Sequence, residues 1–289
     1  MPGFVEIIAH RGARSLAPEN TLAAARLAHK LGAHRWETDA VLTRDGHLVL
    51  FHDETLTRCT NAAQVFGYDP KAPEKALWPG PGTIDRLDSH PLIDLQLLDA
   101  GGWFEQNDPY ATVSGIDPYI LAGFKKESIP TLYDGLILTK ELDWCINVEL
   151  KDHGNEPERS SYLGRVLTEL ARSGISPARV TLSSFNHDWL RWLRQYIPEY
   201  ELQALVGEGD DQPLNFNDPV FTSAEFEVLN LNALLVTPLD IKRLKAADKR
   251  INLFTINTPY DYMRFVNAGI DGIFTDFPQR FISPVLGRF

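Results

Sequence analysis

What most constrains this chain is an alternation. Short runs rich in Val, Ile, Leu and Phe recur along it, and several are followed by longer stretches with helical spacing. Runs at residues 6–10, 35–40, 47–52, 145–151, 180–185, 202–206, 233–237, 252–257 and 272–275 read as strands. Residues 20–31 are the clearest helix: Asn20 or Thr21 can cap it, Leu22, Ala25, Leu27 and Leu31 keep roughly helical spacing, and Gly32 ends it. Asn20, directly before that pattern, reads as a cap rather than a ligand contact. Strands alternating with helices imply βαβ units and a parallel sheet. So many units, with no GxGxxG fingerprint, predict an α/β fold of the TIM-type (β/α)8 barrel kind rather than an open sheet. A chain of 289 residues is then a single domain, 1–289.

Nine candidate strands are one too many for eight barrel positions. The second and third are joined by Thr43-Arg44-Asp45-Gly46, which leaves no room for a helix, and Asp-Gly is a hairpin signal. A tight hairpin there brings Asp39 near His52. From residue 53 to 130 the βα rhythm stops. Asp69-Pro70, Ala72-Pro73, Trp78-Pro79-Gly80-Pro81-Gly82 and Asp117-Pro118 punctuate a stretch that also carries Trp103, Phe104 and several leucines. That is too apolar for a linker, and it predicts a small inserted subdomain, 53–130, after the third strand and over the barrel mouth. Residues 207–218, acidic and polar, read as a surface loop.

The formal net charge of -11 argues against nucleic acid and anionic membrane surfaces as partners, since both need an extended basic footprint. A small anionic substrate held by a few local cations remains compatible with it. No run approaches the roughly 20 apolar residues of a transmembrane segment, and the N-terminus lacks a secretory pattern. Cys59 and Cys145 allow one disulfide, but two cysteines in a large chain look like cytoplasmic usage. No oligomeric state follows from these features.

In an α/β barrel the reactive groups sit at the C-terminal ends of the strands. Polar residues collect at those places here: His10-Arg11, Glu37 with Asp39, His52-Asp53, Glu149 with Lys151, Ser183-Ser184, Asn257 and Asp276. Glu37 and Asp39, like Glu149 and Lys151, are spaced by two and so share one face of their strand. A Glu-x-Asp alone is most often a solvated face. Here, however, Glu37 follows the apolar Trp36, and Glu149 lies inside Ile146-Asn147-Val148-Glu149-Leu150. Buried carboxylates need a cation. Three converging carboxylates make a hard oxygen site suited to one Mg²⁺ or Ca²⁺. Zinc fits less well, because no HxH or HExxH occurs and the cysteines are poorly placed. Ser183 and Ser184 lack an adjacent base and do not read as nucleophiles, and Asp276, two before Pro278, reads as closing a turn.

The chain resembles the glycerophosphodiester phosphodiesterase family. The resemblance rests on Ala9-His10-Arg11-Gly12, Ala17-Pro18-Glu19-Asn20-Thr21, Glu37-Thr38-Asp39, Leu42-Thr43-Arg44-Asp45-Gly46 and Phe51-His52-Asp53-Glu54-Thr55-Leu56. Further on come Ala100-Gly101-Gly102-Trp103-Phe104, Ile129-Pro130-Thr131-Leu132, Asn147-Val148-Glu149-Leu150-Lys151, Ser183-Ser184-Phe185, Phe254-Thr255-Ile256-Asn257 and Gly272-Ile273-Phe274-Thr275-Asp276. These span nearly the whole chain in order. The resemblance implies hydrolysis of glycerophosphodiesters to sn-glycerol 3-phosphate and an alcohol. It implies His10 and His52 as acid and base, Glu37, Asp39 and Glu149 as ligands of the divalent cation, and Arg11 and Lys151 on the phosphate oxygens. Phe185 and Phe254 are candidate substrate contacts. Phe254 stands where the family often has Trp, which implies an altered glycerol or headgroup pocket, and Thr38 stands where an apolar residue is usual. The nucleophile is either a glycerol hydroxyl, by way of a cyclic phosphate, or water. Alternative readings are a lysophospholipase D-like or phosphoinositide-cleaving relative, or a binding module without catalysis.

Overall fold

In the computed structural model, residues 4–72, 84–125, 127–152, 159–208 and 214–282 are described. The chain enters β1 (Glu6–Ala9) and turns into α1 (Leu22–Leu31), whose N-cap is Thr21 and whose C-cap is Gly32 in a left-handed conformation. It continues through β2 (Arg35–Leu42) to β3 (Leu48–Leu50). These two pair antiparallel, Ala40 opposite Leu50 and Leu42 opposite Leu48, as the Asp45-Gly46 turn predicts. Among the described residues of 51–131 lie four short α-helices, α2 (Ala62–Phe66), α3 (Leu92–Leu95), α4 (Gly102–Asn107) and α5 (Pro118–Phe124). Trp78, Pro79, Gly80, Pro81 and Gly82 lie outside the described residues.

Regular βα alternation resumes with α6 (Leu132–Glu141) and β4 (Ile146–Leu150), then α7 (Arg159–Ser173) and β5 (Val180–Ser184), α8 (His187–Tyr196) and β6 (Glu201–Val206). After α9 (Pro219–Thr222) come β7 (Val228–Asn232), α10 (Pro238–Ala246), β8 (Arg250–Phe254), α11 (Pro259–Val266) and β9 (Gly272–Thr275). Eight parallel strands close in the order β1-β2-β4-β5-β6-β7-β8-β9, with β9 pairing back to β1 and β3 hanging from β2 as an extra strand. This is a TIM barrel.

One strand expectation needs correction. The run at 233–237 is not a strand. The strand lies five residues earlier, at Val228–Asn232, and Leu234 just after it is 76% exposed. Thr237 caps α10 through its side chain, accepting from the Asp240 amide. Asn230 and Asn232 interrupt the apolar pattern of the true strand, so the apolar stretch behind it looked stronger.

Two apolar clusters organise the interior. One fills the space between barrel and helices around Ile7, Trp36, Leu136, Ile146, Leu182 and Ile251. A second joins Val41, Val49 and Phe51 to Leu56, Leu87, Phe104 and Phe124 of the 51–131 stretch. Cys59 and Cys145 are both free thiols, so the disulfide that two cysteines allow is not formed. Among the described residues no helix is long and apolar enough to cross a membrane.

Candidate active site

Alternation along the strands stacks inward side chains in storeys, and the topmost storey lies at the C-terminal rim. On β2, Glu37 and Asp39 are buried, and on β4 Glu149 pairs in register with Asp39. The three carboxylates each offer an oxygen within 4.8 Å of the others. The turn after β1 feeds Arg11 into them. That turn lies so close to α1 that a Cβ on Gly12 would sit 2.7 Å from Ala24, and Gly12 has φ 80°, so only glycine fits easily. The Arg11 amide donates to Glu37 Oε2 at 2.8 Å, and its guanidinium Nε lies 3.3 Å from Asp39 Oδ2. Lys151 Nζ lies 2.9 Å from Glu149 Oε1 and 3.9 Å from Asp39 Oδ1.

Two cations are not enough for this cluster. Glu37 Oε1 is buried with no hydrogen-bond partner. Burial, then the charges of Asp39 and Glu149, push the Glu37 carboxyl well above its ordinary range. Burial and Asp39 raise Glu149 as well, against Lys151. Asp39 goes the other way: burial opposes ionisation, but His52, Arg11 and Lys151 outweigh it and hold the carboxyl down at about 2. Crowded hard oxygens, one of them lacking any donor, fit a divalent cation of the Mg²⁺ or Ca²⁺ class.

His10 and His52 both line a cavity of about 320 Å³ together with Arg11, Glu37, Glu149, Lys151, Phe185 and Phe254. Phe185 and Phe254 meet edge to face there, with centroids 5.9 Å apart. The two histidines are held alike. His10 Nδ1 lies 2.7 Å from Asp276 Oδ1, and His52 Nδ1 lies 2.7 Å from Asp53 Oδ1. Burial, and after it the Arg11 charge, lower the His10 imidazole to about 4 despite the Asp276 hydrogen bond, so it is neutral near pH 7. The β2–β3 hairpin brings His52 alongside Asp39, since the Phe51 amide donates to the Asp39 carbonyl at 3.0 Å.

Several participants escaped the sequence reading. Asn20 is not the cap of α1. Its side-chain amide donates to Asp39 Oδ2 at 2.9 Å, and its carbonyl oxygen accepts from Thr38 Oγ1 at 2.7 Å. This gives the unusual Thr38 a polar partner. Asp276 does more than close a turn, because it accepts from His10. Glu19 gathers three arginines: Arg11 Nη1 at 2.8 Å, Arg14 Nη2 at 2.6 Å and Arg58 Nη2 at 2.7 Å. Arg58 also grips Asp53, at 2.5 Å. Glu19, Asn20 and Asp53 stood inside recognisable motifs, which was the available signal; Arg14 and Arg58 carried none. Ser183 and Ser184 are engaged with Asn147 Oδ1 and the Leu150 carbonyl.

The sequence model of the glycerophosphoryl diester phosphodiesterase family matches residues 10–280. A glycerophosphodiester phosphodiesterase of Caldanaerobacter subterraneus is 29% identical over 286 residues, covering 96% of this chain and 97% of that protein. The structure of an Oleispira antarctica phosphodiesterase, solved with its product sn-glycerol-3-phosphate, superposes with a TM-score of 0.73 at 26% identity, covering 96% of this chain and 95% of that one. The fold of the Agrobacterium tumefaciens glycerophosphodiester phosphodiesterase superposes with a TM-score of 0.66 at 22% identity, over 97% of this chain and 100% of that one.

Proposed function

The chain belongs to the glycerophosphoryl diester phosphodiesterase family, and on that premise we propose that it cleaves glycerophosphodiesters to sn-glycerol 3-phosphate and an alcohol by a cation-assisted reaction in which His10 and His52 move the protons. The observation that carries this reading is the single cavity lined by both histidines, Arg11, Lys151, Glu37 and Glu149. Glu37, Asp39 and Glu149 would hold the divalent cation, which when bound offsets negative charge on the phosphoryl oxygens. Arg11 and Lys151 grip those same oxygens and orient the phosphorus between the imidazoles. With each Nδ1 engaged by a carboxylate, Nε2 is the nitrogen left to face substrate. One imidazole takes the proton of the attacking hydroxyl or water; the other protonates the leaving alkoxide. Phe185 and Phe254 offer an apolar wall to the glycerol carbons.

Residues 53–130 act as an inserted subdomain within the 1–289 domain. Support comes from their share in the second apolar cluster and from Arg58, which reaches from this stretch to Glu19 at the barrel rim. The space next to the catalytic cavity favours a water-soluble substrate over a lipid. It measures about 500 Å³, shares His52, Glu149, Lys151, Phe185 and Glu208 with that cavity, and adds Asp53, Glu54, Asp152 and Asn186 against the single apolar Leu150. Release of glycerol 3-phosphate from glycerophosphocholine tests the reading. His10→Ala and His52→Ala should each lose at least ~100-fold in rate, and chelation should abolish turnover until Mg²⁺ or Ca²⁺ is restored. Near-wild-type turnover in either histidine variant sinks the assignment. Choline release from lysophosphatidylcholine alone would redirect it to a lipid substrate.

A further inference from the structure

The space beside the catalytic cavity carries charge of mostly one sign. Asp53, Glu54, Glu149, Asp152 and Glu208 line it against a single ammonium, that of Lys151, and among the described residues no arginine lines it. Three of these carboxylates are already answered by cations: Glu149 by Lys151 at 2.9 Å, Asp53 by Arg58 at 2.5 Å and Glu54 by Arg86 at 2.8 Å. Asp152 accepts from the neutral side-chain amide of Asn186 at 2.7 Å. Glu208 differs. It is exposed, and its carboxylate has no hydrogen-bond or ion-pair partner among the described residues. The backbone before it is nevertheless held. Gly207 follows β6 with φ 92°, so close to the end of β7 that a Cβ on it would lie 2.9 Å from Asn232 Cβ and from Leu235 Cδ1. Asn232 Nδ2 donates to the Gly207 carbonyl at 3.1 Å. Glu208 is thus presented, one residue on, where it borders both this space and the catalytic cavity, as Phe185 does. The two spaces are arms of one cleft, and Glu37, with its buried and unanswered Oε1, marks the reacting arm.

A carboxylate at the mouth of a site for an anionic diester repels the substrate unless the substrate brings a cation of its own. Such a charge selects by what it rejects as well as by what it attracts. We propose that the second arm receives the alcohol half of the diester, and that Glu208, with Asp152 and the Phe185 ring, selects alcohols bearing an ammonium group over neutral or anionic ones. Glycerophosphocholine and glycerophosphoethanolamine are of that class. The proposal rests on the reading of the cleft as a glycerophosphodiester site and names the substrate class that site prefers. Arg11 and Lys151 take the phosphate in the first arm, and the ammonium meets carboxylates in the second, so the two charges of a zwitterion are divided between them. An aromatic ring adds attraction for a quaternary ammonium. An anionic headgroup instead sets a second negative charge against Glu208.

The experiment compares glycerophosphocholine with its neutral isostere, in which carbon replaces the choline nitrogen, on the full chain with Mg²⁺ or Ca²⁺ present. Shape is then constant and only the charge differs. Wild type should favour glycerophosphocholine by about tenfold in kcat/KM, the product of two or three contacts that are each worth a few-fold. Glu208→Gln should shrink that preference about three- to fivefold, chiefly through a higher KM for glycerophosphocholine with kcat nearly steady. The same change should lower the KM of the anionic isostere by up to about twofold, because a repelling charge is gone. Glu208→Lys should abolish the preference or invert it. Raising the salt to about 0.5 M should weaken the preference of wild type, since exposed charges are screened. Equal kcat/KM for the two diesters in wild type overturns the selection and leaves the phosphodiesterase reading standing. A Glu208→Gln protein that slows both alike does the same, because a merely structural role moves both substrates together. Failure to cleave either diester with either cation overturns the reading beneath, and the proposal with it.

Discussion

Two storeys of the barrel interior hold buried polar side chains and handle burial in opposite ways. In the lower one, amides and a hydroxyl form a belt. Ser183 donates to Asn147, Asn147 and Asn230 both donate to Gln203 Oε1, and Asn252 donates to Asn230. Every member is neutral, and none of its atoms is among the buried side-chain atoms left without a partner. One step up, Glu37, Asp39 and Glu149 crowd three carboxylates into 4.8 Å and leave Glu37 Oε1 unanswered. The same strands build both: Asn147 and Glu149 are two residues apart on β4, and Asn147 pairs in register with Glu37. Burial of polarity is therefore not what distinguishes a site here. What distinguishes it is crowded like charge together with an unanswered oxygen, a combination that a divalent cation would complete.

Making the upper storey resemble the lower one should have the largest effect. Glu37→Gln should cut turnover by roughly 10²–10³-fold, the scale for losing one electrostatic contributor to a charged transition state. It should also raise the melting temperature of the chelated protein by a few degrees, because one of three repelling charges is gone. Mg²⁺ or Ca²⁺ should raise the wild-type melting temperature much more than that of the variant. A chelated Glu37→Gln protein that melts below chelated wild type would show that the cluster is not strained.

The converse change breaks the belt. Asn230→Leu strands the Asn252 amide without its acceptor and leaves Asn147 as the remaining donor to Gln203 Oε1, and should cost about 1–3 kcal/mol in urea unfolding with little change in kcat of the folded fraction. Gly272→Ala perturbs the belt more gently. Its added Cβ would sit 2.5 Å from Asn252 Oδ1, forcing that amide to shift at a cost of about 1–3 kcal/mol. If either variant loses turnover as steeply as Glu37→Gln, the two storeys are one functional unit and the contrast fails.

The contrast also explains which features could be read from the sequence. Strands and the hairpin were legible because apolar alternation and Asp45-Gly46 are local signals. β7 was displaced because Asn230 belongs to the interior for a reason that lies on other strands, namely Gln203 and Asn252. At the site, His10, His52 and the carboxylates stood out as strand-end residues spaced by two. Their supports did not. The partner of His10 is 266 residues away in sequence, and Arg58 joins Glu19 across 39 residues. No local pattern encodes such pairs; closure of the barrel, β9 against β1, brings the first together.

The smallest effect separates the two kinds of buried carboxylate by the sign of a pH dependence. Burial raises Glu19 too, but Arg14, Arg11 and Arg58 outweigh it and hold the group well below 4.5. Its contribution to stability is full above its unfolded value and lost as the pH falls through the folded one. Glu37, raised above 4.5 by burial and its like-charged neighbours, behaves inversely: its contribution is full below its unfolded value and lost as the pH rises through the folded one. Chelated wild type should therefore lose stability, from this group, as the pH climbs above 4.5. Glu37→Gln should lack that loss, and a saturating divalent cation should abolish it in wild type by taking the place of the proton. Glu19→Gln should leave the loss intact and flatten the acid side instead. Urea unfolding of the three proteins across the pH range, with and without chelator, checks this. Identical alkaline slopes in wild type and Glu37→Gln would mean that the upper storey is as well satisfied as the belt beneath it.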